Sequence, residues 1–136
     1  MKYELKYGCD IEVTVQPRLE LYTVQDFMGT DMLGLAIILD DVTNPEEPKE
    51  FCSLTISFGE FIGMKNSAYI DIENCPFIDQ LLKQGMAQDT GLTKRDGFYD
   101  CPLWLFEENM LKSMGEDNYN TYDTAYRQYM AKFGME

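Results

Sequence analysis

Any catalysis in this chain has to rely on carboxylates, lysines, tyrosines or a cofactor, because the sequence contains no histidine. That excludes Ser-His-Asp and Cys-His catalysis, imidazole metal ligation and imidazole pH switching together. The four cysteines, Cys9, Cys52, Cys75 and Cys101, are widely separated and form no C-x-x-C pair. Zinc ligands come in close pairs, so the expectation is isolated reduced thiols in or near the core, with no metal and no cofactor. Asp71 and Glu73 alternate on an expected strand, and with Asp79 they come nearest to a hard-cation set. Solvated strand carboxylates explain them more simply. Lys94-Arg95 is the one adjacent basic pair, and a surface turn suits it better than a phosphate site. No G-x-G-x-x-G, G-x-x-x-x-G-K-[ST], G-x-S-x-G or EF-hand spacing occurs. The expectation is a protein that is not an enzyme. The alternative is an enzyme or small-molecule binder built on a carboxylate cleft near Asp71, with Tyr69 beside it.

The elements that would position such residues are organised around Ala68 to Gly91. Tyr69, Ile70 and Ile72 alternate with Asp71 and Glu73 as in a half-buried strand. Asn74-Cys75-Pro76 ends it, and Pro76 suits a first helical turn. Phe77, Ile78, Leu81 and Leu82 then recur at helical spacing, with Asp79 early, Lys83 late and Gly85 as the stop. Upstream, Tyr3 to Tyr7 and Ile11 to Val15 alternate around Gly8-Cys9-Asp10 as a β-hairpin. Gln16-Pro17 interrupts the ladder, and Leu19 to Thr23 continue as another strand. Residues 25–34 read as loop. Leu35 to Leu39 reads as a central strand, and Phe51 to Phe58 as the cleanest alternation, with Cys52, Leu54, Ile56 and Phe58 on one face. Residues 86–98 read as turn-rich. Pro102 places the Phe98 to Phe106 segment at an edge or bulge. Glu107 to Met114 is a short helix stopped by Gly115, and Glu116 to Phe133 is the longest helix.

The expected fold is α+β in one domain of 136 residues: an antiparallel sheet of about five to six strands, with the short central helix and the C-terminal helix packed on one face. Its parts are an N-terminal hairpin and strand over 1–24, a core over 35–111 and the C-terminal helix over 116–133.

Two surfaces are candidates for partners. Tyr119, Tyr122, Tyr126, Tyr129 and Phe133 make one aromatic stripe on the last helix. Packing on the sheet explains it best, and a homodimer seam or partner groove is the sharper alternative. Asp40, Asp41, Glu46, Glu47 and Glu50 make the most acidic local patch in a chain of net charge −13. That charge repels nucleic acid and anionic membranes and attracts a protein partner with a basic surface. A specific form is an acidic mimic of DNA that inhibits a host defence nuclease. The acids are spread along the whole chain, however, whereas duplex DNA carries one charge per ~1.7 Å. No apolar run reaches the roughly 20 residues that span a bilayer, and MKYELKYGCD lacks an apolar leader core, so a cytoplasmic location is expected.

The order of motifs resembles a bacterial family of unknown function. The matching positions are Leu54-Thr55, Ala68 to Asp71, Asn74 to Pro76, Leu81 to Ala87, Thr90-Gly91, Gly97-Phe98 and Pro102 to Phe106, roughly the middle half of the chain. That family consists of small proteins of gut bacteria, often carried on plasmids, phages or conjugative elements. The resemblance implies a shared fold and supplies no activity; its mobile-element association, taken with the missing histidine, the acidity and the tyrosine stripe, makes an accessory or protein-interaction role on a mobile element the expectation.

Overall fold

The computed structural model describes residues 1–132, which fold as α+β with eight strands and three helices. β1 (Tyr3–Tyr7), β2 (Ile11–Gln25), β3 (Asp31–Asp41) and β4 (Lys49–Ser53) form one antiparallel sheet in that order. β5 (Thr55–Ile56), β6 (Ser67–Ile70), β7 (Gln88–Asp96) and β8 (Tyr99–Leu105) form a second, in the order β5-β6-β8-β7. The helices are α1 (Ile78–Lys83), α2 (Glu108–Met114) and α3 (Glu116–Lys132).

The single sheet expected from the sequence is divided at Leu54. The alternating run Phe51 to Phe58 is two strands, one in each sheet. The Leu54 N–H donates to Ile37 O of the first sheet at 2.9 Å. Its carbonyl accepts from Asp71 N, just beyond β6 of the second, also at 2.9 Å. One residue therefore hands the chain from sheet to sheet, and its side chain is fully buried.

Pro17 does not interrupt β2, contrary to the expectation. Thr14 accepts from Val42 N and donates to Thr43 Oγ1 on the β3 side, so odd-numbered residues here direct their backbone groups the other way. β1 has already ended at Tyr3, opposite Val15. The nitrogen of Pro17 thus faces a flank with no strand, where a missing donor costs nothing. Residues 25–34 are likewise no loop: β2 and β3 stay paired to Gln25 and Asp31. Five residues suffice for the turn because the Asp26 carboxylate accepts from both Met28 N and Thr30 N, at 2.9 and 2.8 Å.

The turn-rich stretch after Gly85 is the edge strand β7. Its ladder to β8 shifts between Asp89 and Thr93, a bulge that holds Gly91 at φ 84°. Pro102 pairs with Thr93 beside that bulge and one position past the last β6–β8 pair, Tyr69 with Leu103. β6 stops at Ile70, so Asp71 and Glu73 share no strand face. Asp71 instead opens a turn, accepting from Cys75 N and from Asn74 Nδ2.

Gly85 takes the expected left-handed conformation at the end of α1, with Met86 N reaching back to Leu81 O. The outer side of α1 performs a task its pattern did not suggest. Gln84 accepts from Glu4 N and donates to Glu4 O, at 3.0 and 2.8 Å. Gln80 does the same for Lys6, at 2.8 and 2.7 Å. Two amides one helical turn apart thus occupy the unpaired edge of β1.

α2 and α3 meet at Gly115, where a Cβ would lie 3.2 Å from Leu19 O and 3.3 Å from Leu19 Cβ. Asn118 Nδ2 also donates to Leu19 O at 2.8 Å, fixing the start of α3 on β2. Both sheets and all three helices contribute to one continuous core, with Leu5, Val15, Ile37, Leu39, Leu54, Ile70, Leu81, Trp104 and Tyr119 among its most buried side chains.

Candidate functional site

Where the two sheets part beside β3, they leave a cavity of about 290 Å³. Its first wall is the β2–β3 hairpin. Along β2 the buried residues are first odd-numbered, from Val13 to Leu19, and then Val24 is buried while Thr23 is exposed. This twist turns Tyr22 and Val24 into the cleft. Tyr22 pairs with Gly34, whose missing side chain leaves the space open: a Cβ there would meet only Val24 Cγ1 at 3.5 Å and Tyr22 atoms at 3.7 Å and beyond. The second wall is the face of the other sheet carrying Tyr69 and Leu103, extended by Ile56, Phe58 and Leu92. Phe58 stands edge-on to Tyr69, with ring centroids 5.4 Å apart.

Among the described residues, Lys94 is the one cation lining this cavity. Its ammonium lies 4.9 Å from the centre of the Phe58 ring and is ion-paired to Glu60. The Glu60 side chain is 70% exposed, against 31% for Lys94. The carboxylate is therefore the looser partner of a surface pair, and such pairs are weak. Tyr22 is held away from ligand chemistry: its hydroxyl lies 3.1 Å from both the carbonyl and the hydroxyl of Thr55. Among the described residues, the lining contains no cysteine and no pairing of a nucleophile with a base. Its chemistry is apolar contact, with the Lys94–Glu60 ion pair as its charged part.

The connection from Ser57 to Asn66 closes one side of the cleft and is fastened to α3. Asn66, in the left-handed region at φ 68°, receives the Tyr119 hydroxyl on Oδ1 at 2.9 Å. It also gives its N–H to the Tyr122 hydroxyl at 3.0 Å and accepts Phe106 N on its carbonyl at 2.8 Å. Lys65 pairs with Asp123, and Phe61 packs on Tyr126 and Tyr129 at 5.3 and 4.8 Å. Phe61 N and Gly59 O also bond to Gln25, so the connection is tied to β2 as well.

The structure places the sequence candidates as follows. Tyr119, Tyr122 and Tyr126 are 0, 3 and 4% exposed and belong to the core, so they present no seam to a partner. Tyr129 is half-buried, its hydroxyl on the Asp26 carboxylate at 3.1 Å; Phe133 lies outside the described residues. Burial pushes the Tyr119 hydroxyl up to about 12, and burial pushes Tyr122 higher still. Of the acidic patch, Asp40 and Glu50 converge on Arg18 at 2.9 and 3.0 Å, joined by Glu20 at 2.8 Å. Asp41 is turned onto Thr43, while Glu46 and Glu47 stand exposed in the β3–β4 turn. Lys94 and Arg95 occupy a strand and not a turn. They diverge, Lys94 to the cleft and Arg95 to Gly97 O and Asp100. Asp71 is not among the residues lining the cavity. No group of three or more metal-ligating side chains occurs among the described residues.

Two of the cysteines expected to be isolated are in contact. Cys52 and Cys75, 23 positions apart, have their sulfurs 3.2 Å from each other. Nothing in their spacing shows this; it follows from β4 passing the turn that precedes α1.

Among the described residues, Asp26, Asp41 and Asp123 are the carboxylates held below their usual range. The Thr30 N–H, then Met28 N–H and the Tyr129 hydroxyl, hold Asp26 below the usual carboxylate range, and the Thr43 hydroxyl and N–H do so for Asp41. Burial alone would raise Asp123, but Lys65 and Arg127 outweigh it and lower it. A carboxylate depressed in the folded state stabilises the fold above its unfolded pKa, and that stability is lost as pH falls through the folded value. The urea midpoint is therefore expected to drop as pH falls below about 4. It should drop less steeply in the triple variant Asp26→Asn, Asp41→Asn, Asp123→Asn. Equal slopes in both proteins would show that other groups govern the acid limb.

The fold and site together define a small α+β domain with an apolar cleft between two antiparallel sheets. No family model, curated protein or solved structure matches the chain. The family resemblance therefore rests on its motifs alone. No helix among the described residues is long and apolar enough to cross a membrane.

Proposed function

We propose that this chain is a non-catalytic binding protein whose ligand is a small, largely apolar molecule ending in an anionic group, seated in the cleft between the sheets. The observation that carries this reading is the pairing of an apolar cavity of about 290 Å³ with Lys94 at its edge, held there by an exposed carboxylate that a ligand anion can replace. The volume is at the small end for ligand pockets, which run from roughly 300 Å³ upward, and an apolar lining with few polar groups is their common pattern. The missing histidine and the polar groups committed to structure favour binding over turnover. This moves the small-molecule reading from Asp71 to the cleft beside Tyr69. A role as an accessory factor on a mobile element is compatible with it and gains no added support.

Anilinonaphthalene sulfonate, an aromatic anion, is a suitable probe. Its fluorescence is expected to rise on mixing and to saturate at one molecule per chain. Gly34→Leu, which places a side chain in the open space beside Tyr22, is expected to abolish the signal while leaving circular dichroism unchanged. Lys94→Gln is expected to weaken binding about tenfold, the loss of one charge-assisted contact. A rise that does not saturate, or that persists unchanged in Gly34→Leu, would remove the cleft as the site.

A further inference from the structure

Cys52 stands on β4 opposite Leu39, half-buried at the edge of the first sheet. Cys75 is wholly buried in the turn leading to α1, and its thiol also points to Ser53 O at 3.3 Å. The contact of 3.2 Å between their sulfurs is shorter than two unbonded sulfurs normally keep, and brings them within about 1.2 Å of the roughly 2.05 Å of a disulfide. We propose that Cys52 and Cys75 form a reversible thiol–disulfide site, oxidised by exchange with a low-molecular-weight disulfide of the glutathione class.

The roles of the two sulfurs differ. Cys52 is the more accessible and is the attacking group. Contact with the Cys75 thiol lowers its pKa, against burial and the charges of Asp71 and Glu50. The same contact, with burial and the nearby Asp71, raises the pKa of Cys75, which keeps its proton until the second step. In the first step the Cys52 sulfur attacks one sulfur of the oxidant, its proton passes to solvent, and one thiolate leaves. In the second, Cys75 loses its proton and attacks Cys52, expelling the second thiolate. Two electrons pass from the protein to the oxidant, which is released as two thiols. The product closes a loop around β5 and β6 and ties β4 to the start of α1, across the point where Leu54 links the sheets. No residue of the cleft takes part, so this site and the ligand reading stand or fall separately.

The test begins from Cys9→Ser, which removes the exposed thiol in the β1–β2 turn. The folded protein is incubated with oxidised glutathione, blocked with N-ethylmaleimide and digested for mass spectrometry. The expected product is a peptide linked through Cys52 and Cys75, lighter by two hydrogens and restored by dithiothreitol, with buried Cys101 still reduced. Adding Cys75→Ser is expected to stop the reaction with glutathione retained on Cys52, and adding Cys52→Ser to leave Cys75 unmodified. A parent protein that retains glutathione without closing the link, or that links only after unfolding in urea, would overturn the proposal. Both readouts come from the parent, so they hold even if a serine variant fails to fold.

Discussion

Tyr122→Asp is expected to leave the chain unfolded at room temperature, with the loss of near-ultraviolet dichroism as the readout. The Tyr122 ring is 3% exposed and sits between Tyr119 and Tyr126, with centroids 6.0 and 5.8 Å away. Its hydroxyl accepts the Asn66 N–H, which helps fix the connection that closes the cleft. Aspartate is too short to reach Asn66, leaves most of the ring's volume empty and places a charge in the core beside Asp123. Removing a large buried side chain costs about 3–5 kcal/mol, and an unpaired buried charge several more. The sum is comparable to the roughly 5–15 kcal/mol that holds a whole domain together. Two milder variants separate the causes. Tyr122→Phe removes only the acceptor and should cost about 1–2 kcal/mol by urea titration. Tyr126→Phe should be close to neutral, because the Tyr126 hydroxyl is buried without a partner among the described residues. A folded Tyr122→Asp protein of unchanged urea midpoint would show that the tyrosine ladder is not core.

Leu54→Ala is expected to cost about 2–5 kcal/mol, toward the upper end of that range. The side chain is fully buried within the shared core, and its backbone is fixed on both sides, to Ile37 and Asp71. Because both sheets hold this residue, the surroundings cannot collapse onto the void without shifting one sheet against the other. The check is chemical unfolding followed by tryptophan fluorescence and by far-ultraviolet dichroism. Trp104 lies on β8 in the second sheet, so its signal reports that sheet, while dichroism reports both. Coincident curves at a lower midpoint are the expected result. A cost under about 1 kcal/mol, the scale of a surface change, would mean that Leu54 is not the joint described here.

The α+β class, the first hairpin, the Gly85 stop and the three helices were legible because each depends on neighbours in sequence. Alternation, helical spacing and a glycine with positive φ are local signals. The division into two sheets was not legible, because Phe51 to Phe58 keeps a strand's alternation straight through the crossing; only the distant partners Ile37 and Asp71 reveal it. Pro17 misled for a related reason. Its effect depends on where β1 ends, and that is a property of another strand. The edge strand β7 was hidden by Gly91, which reads as a turn until the bulge is seen opposite Leu103, whereas Gly97 is a true turn between β7 and β8. The cleft could not be found from composition, since Tyr22, Gly34, Phe58 and Lys94 lie on four separate segments. The tyrosine stripe was the opposite case: its periodicity was plain, and packing on the sheets was the better of its two readings.

The amide pairs from Gln80 and Gln84 onto β1 bear on how this protein behaves in concentrated solution. An uncovered edge strand is a template onto which a second chain can add, and fibrous aggregation begins that way. Here the protecting groups are side chains on a six-residue helix, which is too short to be stable alone and depends on Leu81 being anchored in the core. Slow hydrolysis of either glutamine to glutamate would replace a donor with a negative charge facing a backbone carbonyl. Storage life, and not only folding, is thus tied to two uncharged amides.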